Sequence, residues 1–361
     1  MEFSTDKISM RQAIIFLLLA LGAPSLRVIP NYVARDAGKA GWASAIFALI
    51  PALILLWTLV SLFKKNEGSL YDIYEKVFGK FLNKIIISLY IVWCIYLIGL
   101  YLRMFGERFL NTILFEANVS ILMAFMLVFV YFIVNQKIDV VGRMSEILIC
   151  FFAAIVGLVF LTTVSQIELK NIWPVTYYDT WSIIRGSEPV FSLSCYITAV
   201  MFLGDKISNK KRLKKNGIWA MVGWSVFSVI LILSTTGLFG HRLNAQLLFP
   251  YFATLKNIRI LNAIERVESL FISIWVASDA VIIALFSFVS LHLIKRLFKK
   301  KSHKKFSLWI LVIAFIIAVN FAPNAYEAEE IAKIYIEPVN ILFFAGIPIL
   351  ALIVGKIRKV V

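Results

Sequence analysis

Long runs of apolar residues, broken at intervals by short polar or charged segments, dominate the chain from residue 8 to residue 356. They are apolar all round over 18 residues or more, unlike the alternation of a half-buried strand or the one-sided stripe of a soluble helix, and so read as helices that cross a bilayer. The pattern predicts ten spans near 8–34, 41–63, 85–113, 119–135, 144–165, 180–204, 217–239, 262–294, 306–323 and 336–356. Spans 3 and 8 exceed the roughly 20 residues that cover about 30 Å of hydrocarbon, so they tilt or project beyond it. One stretch has a different period. Leu70, Ile73, Tyr74, Val77, Phe78, Phe81 and Leu82 recur at helical spacing while Asp72, Glu75, Lys76 and Lys80 take the other faces. That predicts an amphipathic helix over 68–83, lying in the membrane interface and packed over the inner mouth of the bundle or serving regulation.

Composition agrees with this reading. Of 361 residues, 61% are hydrophobic and 16% charged, and the mean hydropathy is +0.86; a soluble chain carries about 25% charged residues. A net charge of +16 raises the question of nucleic acid, which the placement of the charges answers. With the N-terminus inside, 25 of the 37 Lys and Arg fall on the cytoplasmic side and eight on the opposite side. Both termini are therefore expected in the cytoplasm. Blocks such as Lys210-Lys211-Arg212-Leu213-Lys214-Lys215 abut span ends, where anionic headgroups meet them, which disfavours nucleic-acid binding. The first apolar run is followed by Pro24, Arg27 and Pro30 and lacks a small-residue cleavage site, so it is expected to remain as span 1. Cys94, Cys150 and Cys195 all fall inside spans, with no CxxC pair and no Cys/His cluster, which argues against disulfides and zinc. There is no Walker loop, GxGxxG turn, HExxH helix or GxSxG elbow, so neither an enzyme nor a cofactor is expected.

Two spans carry helix-breaking residues. Leu21-Gly22-Ala23-Pro24-Ser25 lies at the middle of span 1, and Gly186-Ser187-Glu188-Pro189 precedes Ser192-Leu193-Ser194-Cys195 in span 6. Glycine loosens the backbone and proline removes an amide donor. Each segment alone fits an ordinary proline kink. Together, at matching positions of the two halves, they predict two inverted five-helix repeats, 8–165 and 180–356, with helices 1 and 6 broken around a midplane binding site.

Charge inside a span costs at least about 2.5–3.5 kcal/mol near the bilayer centre. Arg103 and Glu107 stand four residues apart and are placed to pair. Glu265, Arg266 and Glu268 form a group at the outer start of span 8, either an interfacial structural cluster or a ligand contact. Asp279 lies near the middle of that span beside Ser278, with no basic residue within a turn on its own helix. It reads as a proton or cation site, or as a protonated acid bonded to a neighbouring helix. Arg27 either balances an acid or a ligand carboxylate, or snorkels outward.

Several short segments in this order resemble the B subunit of bacterial spore germinant receptors, the spore-permease-like family of the amino acid/polyamine/organocation transporter superfamily. They are Ile29-Pro30 followed by Ala37-Gly38-Lys39-Ala40-Gly41-Trp42, Phe78-Gly79-Lys80, Leu102-Arg103 followed by Glu107, and Arg143-Met144-Ser145-Glu146-Ile147. Pro250-Tyr251, Ile264-Glu265-Arg266-Val267-Glu268 and Trp275 complete the series. The chain departs from the family at Phe115-Glu116-Ala117-Asn118, where a Thr-Pro pair is common. The resemblance implies a LeuT-like all-α transporter fold and the sensing of a small germinant, commonly an amino acid. It also implies two partners in the inner membrane of dormant spores: a membrane A subunit and a lipoprotein C subunit. The implied pocket comprises Gly22, Ala23, Pro24 and Ser25 of span 1, Tyr96 and Leu100 of span 3, Ser192, Ser194 and Cys195 of span 6, and Trp275, Ser278 and Asp279 of span 8. A secondary transporter coupling a proton or cation to amino-acid movement would use the same residues.

Overall fold

The computed structural model describes residues 7–114, 116–257, 264–299 and 304–361. Its first half comprises α1 (Met10–Ala37), α2 (Gly41–Phe47), α3 (Leu49–Phe63), α4 (Leu70–Phe78), α5 (Lys80–Thr112), α6 (Val119–Val134) and α7 (Ile138–Thr163), followed by the short α8 (Leu169–Ile172). Next come α9 (Thr180–Gly186), α10 (Glu188–Ser194), α11 (Ile197–Met201), α12 (Leu213–Gln246), α13 (Pro250–Asn257) and α14 (Ile264–Leu297). The chain ends in α15 (Lys304–Val319), α16 (Ala325–Ile331), α17 (Glu337–Ile341) and α18 (Ile347–Ile357), with π-helical turns at Ala332–Ile336 and Leu342–Gly346. Among the described residues the β structure is one parallel pair, β1 (Ile8–Ser9) with β2 (Ile207–Ser208).

The bundle is built around α1, which packs against α12, α14 and α7 and is buried on nearly every side. Large apolar side chains left outside, among them Phe125, Phe132, Leu161, Trp219 and Trp309, are more than half exposed. A soluble surface does not carry so much exposed apolar area, whereas a hydrocarbon surround accepts it at no cost.

Among the described residues six helical runs are long and apolar enough to cross a bilayer: Met10–Phe63, Lys80–Thr112, Ile138–Gln166, Lys210–Gln246, Ser269–Leu297 and Ala325–Ile357. The expected ten separate spans are thus not met by ten such helices. Spans 1 and 2 join in the first run, Val119–Val134 and Phe306–Val319 are shorter, and the residues of span 6 are divided among α9, α10 and α11.

The expected loss of helix at Gly22–Ser25 does not occur either. α1 stays helical through both Pro24 and Pro30; side chains of α14 bond backbone groups beside Pro24, and Asn244 of α12 donates to the Pro30 carbonyl. Span 6 is divided into successive short helices by tight turns at Ser187 and at Cys195–Tyr196, through which the backbone keeps right-handed helical dihedrals.

The amphipathic helix is shorter than the expected 68–83. It is α4, opened by a reciprocal cap in which Ser69 and Asp72 bond each other, and stopped by Gly79 at φ +81°, a conformation that side chains other than glycine rarely adopt. Phe81 and Leu82 belong to the next helix and point outward. Leu70, Ile73, Tyr74 and Val77 face the bundle against α5 and α18, so α4 is a packed cover at the basic end.

Candidate functional site

Pro24 has no amide hydrogen, so α1 loses one ladder bond at that turn. The hydroxyl of Ser278 enters the ladder one residue earlier. It accepts from the Ala23 amide at 2.7 Å and donates to the Leu19 carbonyl at 2.5 Å, so that it bridges the two. Trp275 donates its indole N–H to the Ala23 carbonyl at 3.2 Å, and Ser25 Oγ donates to the Gly22 carbonyl at 2.7 Å. This approach requires glycine: a Cβ on Gly22 would stand 2.7 Å from the Phe152 ring and 2.8 Å from Ser278 Oγ.

Asp279 is not the free acid that its own helix suggested. Arg108 of α5 forms an ion pair with it across the bundle, the two side chains being 5% and 6% exposed. The guanidinium also lies 4.2 Å from the Trp275 ring centroid and is flanked by Phe105 and Phe109. A carboxylate held by such a partner has its charge balanced in place. Arg27, a turn past the interruption, pairs with Glu329 of α16 at 2.5 Å, and Tyr32 donates to the same carboxylate at 2.6 Å. It neither snorkels nor waits for a ligand in this arrangement.

The helix-6 break faces α5 and α17. Tyr196, one of its two turn residues, shares a hydrogen bond with Tyr101 at 2.7 Å and accepts one from Asn340 Nδ2 at 2.8 Å. Trp93 donates to Asn340 Oδ1 at 3.0 Å, which completes a buried polar chain from α5 to the break.

Gly22, Ala23, Pro24, Ser25, Trp275, Ser278 and Asp279 therefore come together. Ser192 donates to the Glu337 carbonyl at 3.4 Å, while Ser194 bonds back to Phe191 within its own helix and Cys195 is fully buried. Tyr96 stacks on Trp93 and meets Phe321 instead of the break, and Leu100 is part of the apolar core. Arg103 and Glu107 pair at 2.6 Å, with Arg103 reaching toward the carbonyls at the end of α15. The side chains of Glu265, Arg266 and Glu268 lie outside the described residues. Tyr101, Arg108, Tyr196, Glu329 and Asn340 join the site without having been singled out in the sequence. For α5 there was a signal, since Tyr101 and Arg108 are seven residues apart and share a face. The others are brought in by tertiary contacts alone.

The profile of the family described as spore germination protein matches residues 7–326. Spore germination protein KB of Bacillus subtilis is 22% identical over 98% of this chain and 95% of its own length. Spore germination protein YndE of the same organism is 24% identical over 98% of each. Putative spore germination protein YfkT, again from Bacillus subtilis, is 23% identical over 75% of each. Among solved structures, MhsT in complex with L-phenylalanine superposes with a TM-score of 0.69 at 14% identity, covering 98% of this chain and 90% of MhsT. The bundle thus shares the all-α fold of MhsT.

Proposed function

We propose that this chain, which belongs to the spore germination protein family, binds a small amino-acid-like solute in the middle of a membrane bundle and moves it as a secondary transporter coupled to a proton or cation. The observation that carries the reading is a proline-bearing turn of α1 bonded by side chains of α14, in the same bundle as the divided helix of span 6. The stretch Gly22–Ser25, whose backbone groups are bonded by Ser278 and Trp275, and the turn at Cys195–Tyr196 lie in one bundle with the Arg27–Glu329 and Arg108–Asp279 pairs. Backbone amides and carbonyls that exchange their side-chain partners for a ligand, with opposite charges nearby, suit the ammonium and carboxylate of an amino acid. The fold shared with a phenylalanine-bound protein supports that ligand class.

In this reading the chain crosses the inner membrane ten times, as two inverted five-helix repeats with both termini cytoplasmic, and the Ser278 hydroxyl yields its place in the α1 ladder as the ligand enters. Accumulation of labelled amino acids in proteoliposomes, driven by a proton or sodium gradient, tests it. Absence of uptake for every amino acid under both gradients overturns transport.

A second reading keeps the pocket and replaces movement with signalling. The family description favours it: the site would sense a germinant in the spore inner membrane, and the differential affinity of the ligand for two arrangements would act on A and C partner subunits. Saturable binding without flux would decide for that reading.

A further inference from the structure

A cavity of about 800 Å³ opens at the basic end of the bundle, where three segments distant in sequence converge: the residue before β1, the end of α3 with the turn that follows it, and the stretch from β2 into α12. It gathers six cations, Lys7, Lys64, Lys210, Lys211, Arg212 and Lys214, against two carboxylates, Glu67 and Asp205. Among the described residues Lys7, Lys64, Lys211, Arg212 and Lys214 enter no ion pair. Cations collected around one concave space repel each other and draw an anion into it.

The backbone fixes this gathering. β2 is pinned to β1, with Ser208 Oγ donating to the Ile8 carbonyl at 3.2 Å. Asn209 then takes a left-handed φ of +55°, a conformation that asparagine tolerates better than most residues, and turns the chain toward α3. Lys210 lies 5.8 Å from the centroid of the Phe63 ring and donates Nζ–H to the Gly68 carbonyl at 2.8 Å. α12 begins at the rim with no acid in its first turn. The rest of the wall is apolar and includes Val60, Phe63 and Leu213. Two tryptophans set its depth. Trp57 and Trp219, 55% and 71% exposed, stand six residues inward of Phe63 on α3 and of Leu213 on α12, about 9 Å at 1.5 Å per residue. Exposed tryptophan marks the boundary of the hydrocarbon, so the cavity opens at the level of the lipid headgroups.

We propose that this cavity is a binding site for the phosphate-bearing headgroup of one anionic phospholipid. The phosphate sits among the cations, and the glycerol with the first carbons of the acyl chains lies against Val60 and Phe63. Attraction between a basic face and anionic lipid is general and spreads over every exposed Lys and Arg of that end; the cavity instead holds a single headgroup in a defined place. Bound there, the lipid ties Lys7, at the entry to α1, to the connection between α3 and α4 and to the start of α12. The site is independent of what the midplane residues bind, and of whether the chain transports or senses.

Native mass spectrometry of the full-length protein in neutral detergent counts the lipid directly. Offered phosphatidylglycerol and phosphatidylcholine in equal amounts, the wild type should retain one phosphatidylglycerol selectively. Lys64→Gln/Lys211→Gln/Lys214→Gln removes three exposed cations of the cavity and, at about fivefold for each, should weaken that binding about a hundredfold. Lys65→Gln/Lys80→Gln/Lys84→Gln removes as many exposed cations from the same end outside the cavity and should bind as the wild type does. Phosphatidylglycerol should raise the unfolding temperature of the wild type and of this control, and leave that of the cavity variant unchanged. No selective retention by the wild type, or an equal loss in the control, overturns the site. Equal stabilisation by inorganic phosphate at the same concentration overturns the lipid as its ligand.

Discussion

Removing one member of the Arg108–Asp279 pair should be among the most damaging single changes this bundle can suffer. Both side chains are almost fully sealed, and Arg108 spends its remaining surface on the rings of Trp275, Phe105 and Phe109. Asp279→Asn leaves that guanidinium as an uncompensated charge, a loss of about 3–5 kcal/mol, or roughly two to nearly four orders of magnitude in the folding equilibrium. Arg108→Met strands the carboxylate and should cost a similar amount. The double variant Arg108→Met/Asp279→Leu leaves no charge and should recover most of the loss, because the desolvation of both ions disappears with their attraction. Equilibrium unfolding of the four proteins in one detergent gives the coupling energy from the double-mutant cycle. Additive single losses, or Asp279→Asn as stable as the wild type, would refute the pairing argument and return Asp279 to the role of a free ion site. A cation-dependent stability present in the wild type and absent in Asp279→Asn would point the same way.

Gly22→Val places carbon against Phe152 and the Ser278 hydroxyl and should destabilise by about 1–3 kcal/mol through overpacking; thermal unfolding in detergent measures it, and ligand-induced stabilisation should vanish with it. Tyr196→Phe removes the hydroxyl that Tyr101 and Asn340 share, at a cost of about 1–3 kcal/mol for the buried groups left unsatisfied, read in the same unfolding assay. Asp72→Ala removes the α4 cap, about 0.5–2 kcal/mol, together with the carboxylate that Arg296 of α14 contacts. Hydrogen exchange should then speed up over residues 70–78 while α5 keeps its protection.

Much of this architecture could be read from residue order, and the parts that could not share a physical cause. Hydropathy located the apolar runs because burial in lipid imposes a length and a polarity on each segment separately. It placed a division in span 6, where Ser187 and the Cys195–Tyr196 turn now interrupt the helix. The same reasoning failed at span 1, where Gly22 and Pro24 sit in continuous helix. What keeps α1 wound is a hydroxyl 255 residues away, and residue order holds no record of that proximity. Tyr96 and Leu100 were chosen on α5 by depth alone, yet the rotation of that helix presents Tyr101 to the break.

By itself, then, the sequence determined that the chain lives in a membrane, where its apolar segments run, which end is basic and which two segments are liable to open, because each of these follows from local chemistry repeated along one strand of chain. Only the tertiary structure decided how the buried charges are shared out. Arg27 could have met a ligand and Asp279 an ion, but Glu329 and Arg108 reached them first. A charge in low dielectric is governed by whatever lies within a few ångströms of it, and that is set by packing between helices far apart in the chain.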